Sequence, residues 1–241
     1  MVTLTVSWAY LVYMVWGMAH MDLSAHWLLM PRMDNWNGVD LLLVFVMWAI
    51  MMAAMMLPSA VPMLLLLART NYVRFTKHRA NLATGVFGLG YITVWVGFSL
   101  LATLAQWGLL TARLVSPMMD SLSPVLSSVL LVAAGGYQFT PFKHACLSRC
   151  RSPLSFLMTD SSDGLHSAFF IGLRQGAYCT GCCGLLMALL FAFGVMNLFW
   201  IVALSVLVLL EKLLQRPRWF SYSLGGIFLV WGMWLGSRSM L

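Results

Sequence analysis

The chain alternates long apolar stretches with short polar connections. Seven stretches have the length and composition expected of helices that cross a bilayer, and they lie at residues 2–19, 41–67, 82–109, 122–139, 176–194, 196–212 and 219–236. No alternating period-2 pattern of a membrane β-barrel is visible. The pattern predicts an all-α, polytopic membrane bundle of about seven transmembrane helices, with residues 1–241 forming a single transmembrane domain.

The composition excludes an ordinary soluble domain. Hydrophobic residues make up 61% of the chain and charged residues only 9%, so the polar side chains cannot cover the apolar ones in water. The stretch 2–19 has no basic leader and no small-residue cleavage site. We therefore expect it to be a retained first helix and not a signal peptide.

The basic residues predict the orientation of the helices. Eleven of the 14 Lys and Arg residues lie in or beside alternate connections, at 68–81, 140–175 and 213–218, whereas the other side holds only Arg32, Arg113 and Arg238. Basic residues accumulate on the cytoplasmic side of membrane proteins. The prediction is a multi-pass membrane protein, with its N terminus inside and its C terminus outside. The net charge of +7 then comes from basic residues that anchor the helices at the membrane surface, and it does not indicate a nucleic-acid interface.

All five cysteines fall within 38 residues on the predicted cytoplasmic side, and they are Cys146, Cys150, Cys179, Cys182 and Cys183. The first two are spaced i, i+4 and the last three i, i+3, i+4, so each group lies on one face of a helix. A reducing compartment and an odd count disfavour structural disulfides. Thiolates at a membrane boundary need a cation, and a soft metal supplies it. Simple packing of small buried residues is the alternative.

A methionine-rich segment, MWAIMMAAMM at residues 47–56, provides a second set of sulfur atoms. Met47, Met51 and Met55 share one helix face, and Met52 and Met56 form a neighbouring stripe. Thioethers are neutral, so they can lie in hydrocarbon without the free-energy cost of a buried charge, and they still bind Cu(I). Zinc is possible at the cysteines but has little use for methionine. The two sulfur sets together favour Cu(I), although methionine also serves as a flexible packing residue.

Other residues are candidates for additional metal ligands. His144 and His166 lie in the 140–175 connection, and His20 and Met21 belong to HMDLSAH on the predicted external side. No serine–histidine–acid arrangement, phosphate-binding glycine loop or pair of intramembrane carboxylates is present. The sequence therefore predicts no catalytic residues.

Three charged residues near predicted helix ends have a structural interpretation. Lys143 follows the fourth apolar stretch and is expected to extend its amine toward water. Glu211 and Lys212 are adjacent at the end of the sixth stretch, where we interpret them as a charge pair.

These motifs resemble those of a bacterial family of predicted metal-binding integral membrane proteins, built around a domain of unknown function. The CxxxC, CxxCC and methionine motifs lie in the matching segments, which are MWAIMMAAMMLPSAVP (47–62), GGYQFTPFKHACLSRCRSP (136–153), GAYCTGCCGLLMALL (176–190), GVMNLFW (194–200) and Glu211-Lys212. In that family a tryptophan follows the double cysteine, where this chain has Gly184. The resemblance implies a location in a bacterial inner (cytoplasmic) membrane and a metal site made from the same cysteines, and it leaves the activity open.

Three functions fit the sequence. In the first, Cu(I) is accepted near the external face, passed by the methionine helix and held by the cysteines, for transfer, delivery or storage. In the second, the chain is a membrane thiol–disulfide oxidoreductase with Cys179 and Cys182 as its redox pair. In the third, it is a non-catalytic subunit of a larger membrane complex. The expected partners are the lipid bilayer, a metal ion, and a metallochaperone or larger complex, but no nucleic acid.

Overall fold

The computed structural model describes residues 37–74, 76–112, 123–151, 164–195, 197–214 and 217–239, together with residues 5, 8–10 and 13. The main ranges contain eight helices and no strand, and the helices are α1 (Gly38–Arg74), α2 (Lys77–Thr111), α3 (Pro124–Tyr137), α4 (Pro141–Arg151), α5 (Leu165–Ala188), α6 (Leu190–Phe193), α7 (Leu198–Leu213) and α8 (Pro217–Ser239). The all-α prediction is confirmed for these residues. Most of the predicted first span, 2–19, lies outside them.

Three helical segments of the described part are long and apolar enough to cross a membrane, namely Gly38–Tyr72, Lys77–Thr111 and Leu165–Phe193. Helices α3 and α4 meet this condition only as a pair, with a bend of 68° between them. Helix α7 has 16 residues, which at 1.5 Å each is about 24 Å and short of a 30 Å hydrocarbon core. Seven spans therefore remain a prediction.

The charged connection 140–175 contains more helix than its composition indicates. Helix α4 occupies its first part, and α5 begins at Leu165, eleven residues before the predicted start of the fifth span. The reason is that polar residues mixed into residues 165–175 lower the mean hydropathy without opposing helix formation. Helix α1 also exceeds its predicted bounds and continues through Pro58 and Pro62.

Close helix packing positions the central residues. Helix α2 packs along α5 and α1, α3 packs on α8, and α4 lies on α5. Where α2 crosses α5, Gly90 faces Gly172, and a Cβ atom at either glycine would overlap a backbone carbonyl of the other helix. Small residues at such a crossing let two backbones touch. The contact sets Tyr91 of α2 directly over Cys179 of α5.

We expect Gly172→Ala to destabilise the protein by about 1–3 kcal/mol, because the added methyl group has no space between α2 and α5. Thermal unfolding of the purified protein measures the change. The matched control is Gly88→Ala, two residues before Gly90 on α2, where a Cβ atom meets nothing within 4 Å. Higher helix propensity should stabilise this control by about 0.5–1 kcal/mol. Equal melting temperatures for the two variants would contradict the tight crossing.

Candidate metal centre

The methionine stripe of α1 faces the protein core. Met47, Met51, Met52, Met55 and Met56 are at most 3% exposed. Within the described part, Met56 is the member of the stripe that lies beside a thiol, with its Sδ 3.8 Å from the Sγ of Cys183. The other four continue from this point along α1, and the whole stripe measures about 13 Å at 1.5 Å per residue.

Helix α5 contributes three buried cysteines. The Sγ atoms of Cys179 and Cys183 are 4.0 Å apart. The thiols of Cys182 and Cys183 donate hydrogen bonds to the backbone carbonyl of Cys179, at 3.1 and 2.9 Å. Their i+3 and i+4 positions bring each thiol over the preceding helical turn.

Helix α4 adds the other two cysteines. The thiol of Cys150, which is half-buried, lies within electrostatic range of those of Cys179 and Cys182. Its backbone carbonyl accepts a hydrogen bond from Nε2 of Gln175, 3.0 Å away on α5, and this ties the end of α4 to α5. Cys146 packs one turn earlier against Gly181, where a Cβ atom would lie 2.9 Å from its Sγ. We define the sulfur cluster as Met56, Cys150, Cys179, Cys182 and Cys183.

The Sγ atom of Cys179 contacts polar groups from two other helices. The ammonium of Lys212, from α7, lies 3.0 Å from its Sγ and donates a second hydrogen bond to Oγ of Ser59 at 2.7 Å. The hydroxyl of Tyr91 lies 3.1 Å from the same sulfur. A positive charge beside a thiol stabilises the thiolate, the form that binds metal. Sequence reasoning missed Tyr91 and Ser59, because nothing in their local pattern distinguishes them from packing residues.

The charged residues near the cluster differ from their sequence-based interpretation. Glu211 does not pair with Lys212. It forms an ion pair with Lys143, with 2.6 Å between Nζ and Oε1, and accepts a hydrogen bond from Ser221 at 2.8 Å. Lys143 does not extend toward water either: it is fully buried and also donates to Gln138. The bend before α4 turns the amine into the protein.

Neither His144 nor His166 is part of the sulfur cluster. His144 lies on the other side of α4, where its ring meets that of Tyr222 edge-on at 5.2 Å. His166 is exposed in the first turn of α5, thirteen residues and about 20 Å along the helix from Cys179. His20 and Met21 lie outside the described residues.

The donors fit a soft metal after a small rearrangement. Within the described residues, no three His, Cys, Asp or Glu side chains form a ready metal site. With a thioether included, the Sγ of Cys183 lies 4.0 Å from the Sγ of Cys179 and 3.8 Å from the Sδ of Met56, and we call these three atoms the three-sulfur set. At metal–sulfur bonds of about 2.3 Å, these separations correspond to angles of about 110–120°. Turning the Cys183 thiol away from the backbone carbonyl of Cys179 would complete three-sulfur coordination, which suits Cu(I).

Comparison with known protein families gave a match. The family model described as PpoB2, copper chaperone, matches residues 45–235, well over half of the chain. Neither the curated proteins nor the solved structures contain a match. The matched range includes the whole methionine stripe from Met47, every cysteine and Lys212.

Proposed function

Since this chain belongs to the PpoB2 copper chaperone family, we propose that it is a membrane-embedded carrier whose cargo is Cu(I). The family match supports copper, and the donor atoms support its monovalent state, because thiolates and thioethers are soft ligands. The observation that carries the proposal is the convergence of Met56 on α1, Cys150 on α4 and three cysteines of α5. Residues that are 127 positions apart, Met56 and Cys183, meet there.

The charge of Lys212 supports Cu(I) over Zn(II). Cu(I) bound by the thiolates of Cys179 and Cys183 carries a net charge of −1, which the adjacent ammonium balances. Zn(II) bound by the same two thiolates is neutral and leaves the ammonium uncompensated. Buried charges are stable only when they are paired, so the centre favours a monovalent ion.

The arrangement also suggests a route for the cargo. In a bacterial inner membrane, with seven spans and an inside N terminus, α1 runs from the external face toward the cytoplasm. Met47 then lies near the external end of the stripe and Met56 at the cytoplasmic end. Cys150 is the most accessible member of the cysteine group. We propose that copper moves along the thioethers to the thiolates and leaves through Cys150 to a metallochaperone or a membrane complex.

Protein purified without oxygen is expected to bind Cu(I) in preference to Zn(II), with only sulfur atoms in the coordination shell. Competition with chelators of known affinity measures the preference, and X-ray absorption identifies the ligand atoms. In Lys212→Met, we expect the preference for Cu(I) over Zn(II) to fall at least tenfold. A unit charge 4 Å from the site is worth about 4 kcal/mol at an effective dielectric constant of 20, and 1.4 kcal/mol is a factor of ten.

The control for charge alone is Lys77→Met, since Lys77 is exposed at the start of α2. An equal change of preference in this control would contradict the role of Lys212. Protein that binds no copper but forms a trapped mixed disulfide with a partner would support the oxidoreductase instead. Full activity of a purified complex without the cysteines would support the structural subunit.

A further inference from the structure

A cavity of about 720 Å³ lies beside α4, largely on the side that does not carry Cys146 and Cys150. Its volume is in the range of small-molecule sites. Helix α4, the turn before it and the start of α8 form its walls. The side chains that define its chemistry are Phe139, His144, Leu147, Arg151, Arg218 and Tyr222.

The polar part of the wall suits an anion. Arg151 and Arg218 are permanently charged, His144 also lines the cavity, and the lining includes no carboxylate among the described residues. The carboxylate of Glu211 acts on His144 electrostatically, but its charge is balanced by Lys143. Guanidinium groups bind phosphate oxygens through paired hydrogen bonds. One N–H of Arg151 donates to the carbonyl of Leu214, and the guanidinium has further N–H groups for a ligand.

The apolar part of the wall distinguishes between phosphate-bearing ligands. The rings of Phe139 and Tyr222 stack at 5.4 Å with an interplanar angle of 7°. Trp219, which follows the lining residue Arg218 in the chain, is 74% exposed. Aromatic rings beside arginines at helix ends are typical of the membrane–water boundary. A free phosphate ion would use the arginines but leave the rings without a function.

We propose that this cavity binds the phosphate-bearing headgroup of an anionic phospholipid. The phosphate lies against Arg151 and Arg218, and the start of the acyl chains lies against the aromatic rings. This inference rests on the membrane placement proposed above and not on copper. It gives α4 two functional sides, with cysteines facing α5 and a lipid on the opposite side.

The test uses purified protein in detergent with phosphatidylglycerol or phosphatidylcholine, and native mass spectrometry counts the retained lipid. Wild-type protein is expected to retain phosphatidylglycerol preferentially. Removing each arginine should lower this preference about fivefold, because a basic residue near an anionic surface is worth about 1 kcal/mol. The variant is Arg151→Gln with Arg218→Gln. Its control is Arg69→Gln with Lys77→Gln, two exposed residues that do not line the cavity.

Equal loss of preference in both double variants would overturn the inference. So would displacement of the lipid by an equal concentration of inorganic phosphate, which would identify a simple phosphate site. If the variant with both arginines replaced loses helical circular dichroism, the single variant Arg218→Gln tests the lipid preference instead. Arg218 is exposed, so its replacement leaves the packing intact. Wild-type protein that binds Cu(I) without preferring phosphatidylglycerol overturns this inference alone. Protein that prefers the lipid but binds no copper overturns only the function proposed above.

Discussion

Replacing both Cys179 and Cys183 with serine is expected to weaken Cu(I) binding at least a thousandfold. The change removes two of the three atoms of the three-sulfur set and puts two hydroxyl groups in their place, which are hard donors that suit Cu(I) poorly. It also removes the two negative charges that balance the metal ion and Lys212. Mutations that only affect groups around metal ligands already cost 10–100-fold in affinity. The loss of two ligands should therefore exceed that range.

Titration with a competing Cu(I) chelator under anaerobic conditions measures this loss. Cys146→Ser is the control, because its sulfur packs on Gly181 outside the sulfur cluster, and we expect a loss of less than tenfold. Both variants keep the size of the side chain nearly constant, so their folded states should be comparable. Unchanged affinity in the double variant would refute the three-sulfur set. An equal loss in the control would show that all the cysteines act together.

The periodic features of the sequence predicted much of the local structure. Apolar length predicted α1 and α2, because a long uncharged stretch has few alternatives to a helix. Spacing predicted that the methionines of α1 form two neighbouring stripes and that the cysteines of α4 and α5 each share a face, since helix geometry alone determines this. The start of α5 was placed too late because hydropathy does not detect a helix that begins in mixed polar sequence.

The contacts between distant helices were not predictable in the same way. Tyr91 reaches Cys179 only because α2 and α5 touch at Gly90 and Gly172, and no local pattern specifies that pairing. The roles of Glu211 and Lys212 were misjudged for a different reason. Adjacent residues on a helix point about 100° apart and do not face each other. Each therefore pairs with a different helix, and this rule was the signal available in the sequence.

The buried ion pair between Lys143 and Glu211 should show the largest loss of stability on mutation. Glu211→Leu leaves an ammonium, which is fully buried, with Gln138 as its remaining partner. Removing one member of a buried pair typically costs about 3–5 kcal/mol, because the other charge stays in a medium of low dielectric constant. Thermal or chemical unfolding in detergent measures the loss. A melting temperature equal to that of wild-type protein would show that water hydrates the Lys143 ammonium in the variant and would contradict this prediction.

The double variant Lys143→Met with Glu211→Leu separates the cost of a lone charge from the value of the pair. Both replacements are apolar and of similar length, and exchanging a whole buried pair for apolar residues is often neutral or stabilising. We therefore expect the double variant to regain most of the stability that the single variant loses. Because Lys212 follows Glu211 on α7, the double variant should also keep Lys212 beside Cys179 and bind Cu(I) with near-normal affinity. A double variant as unstable as Glu211→Leu would instead show that the pair itself, through Gln138 and Ser221, holds α3, α4, α7 and α8 together.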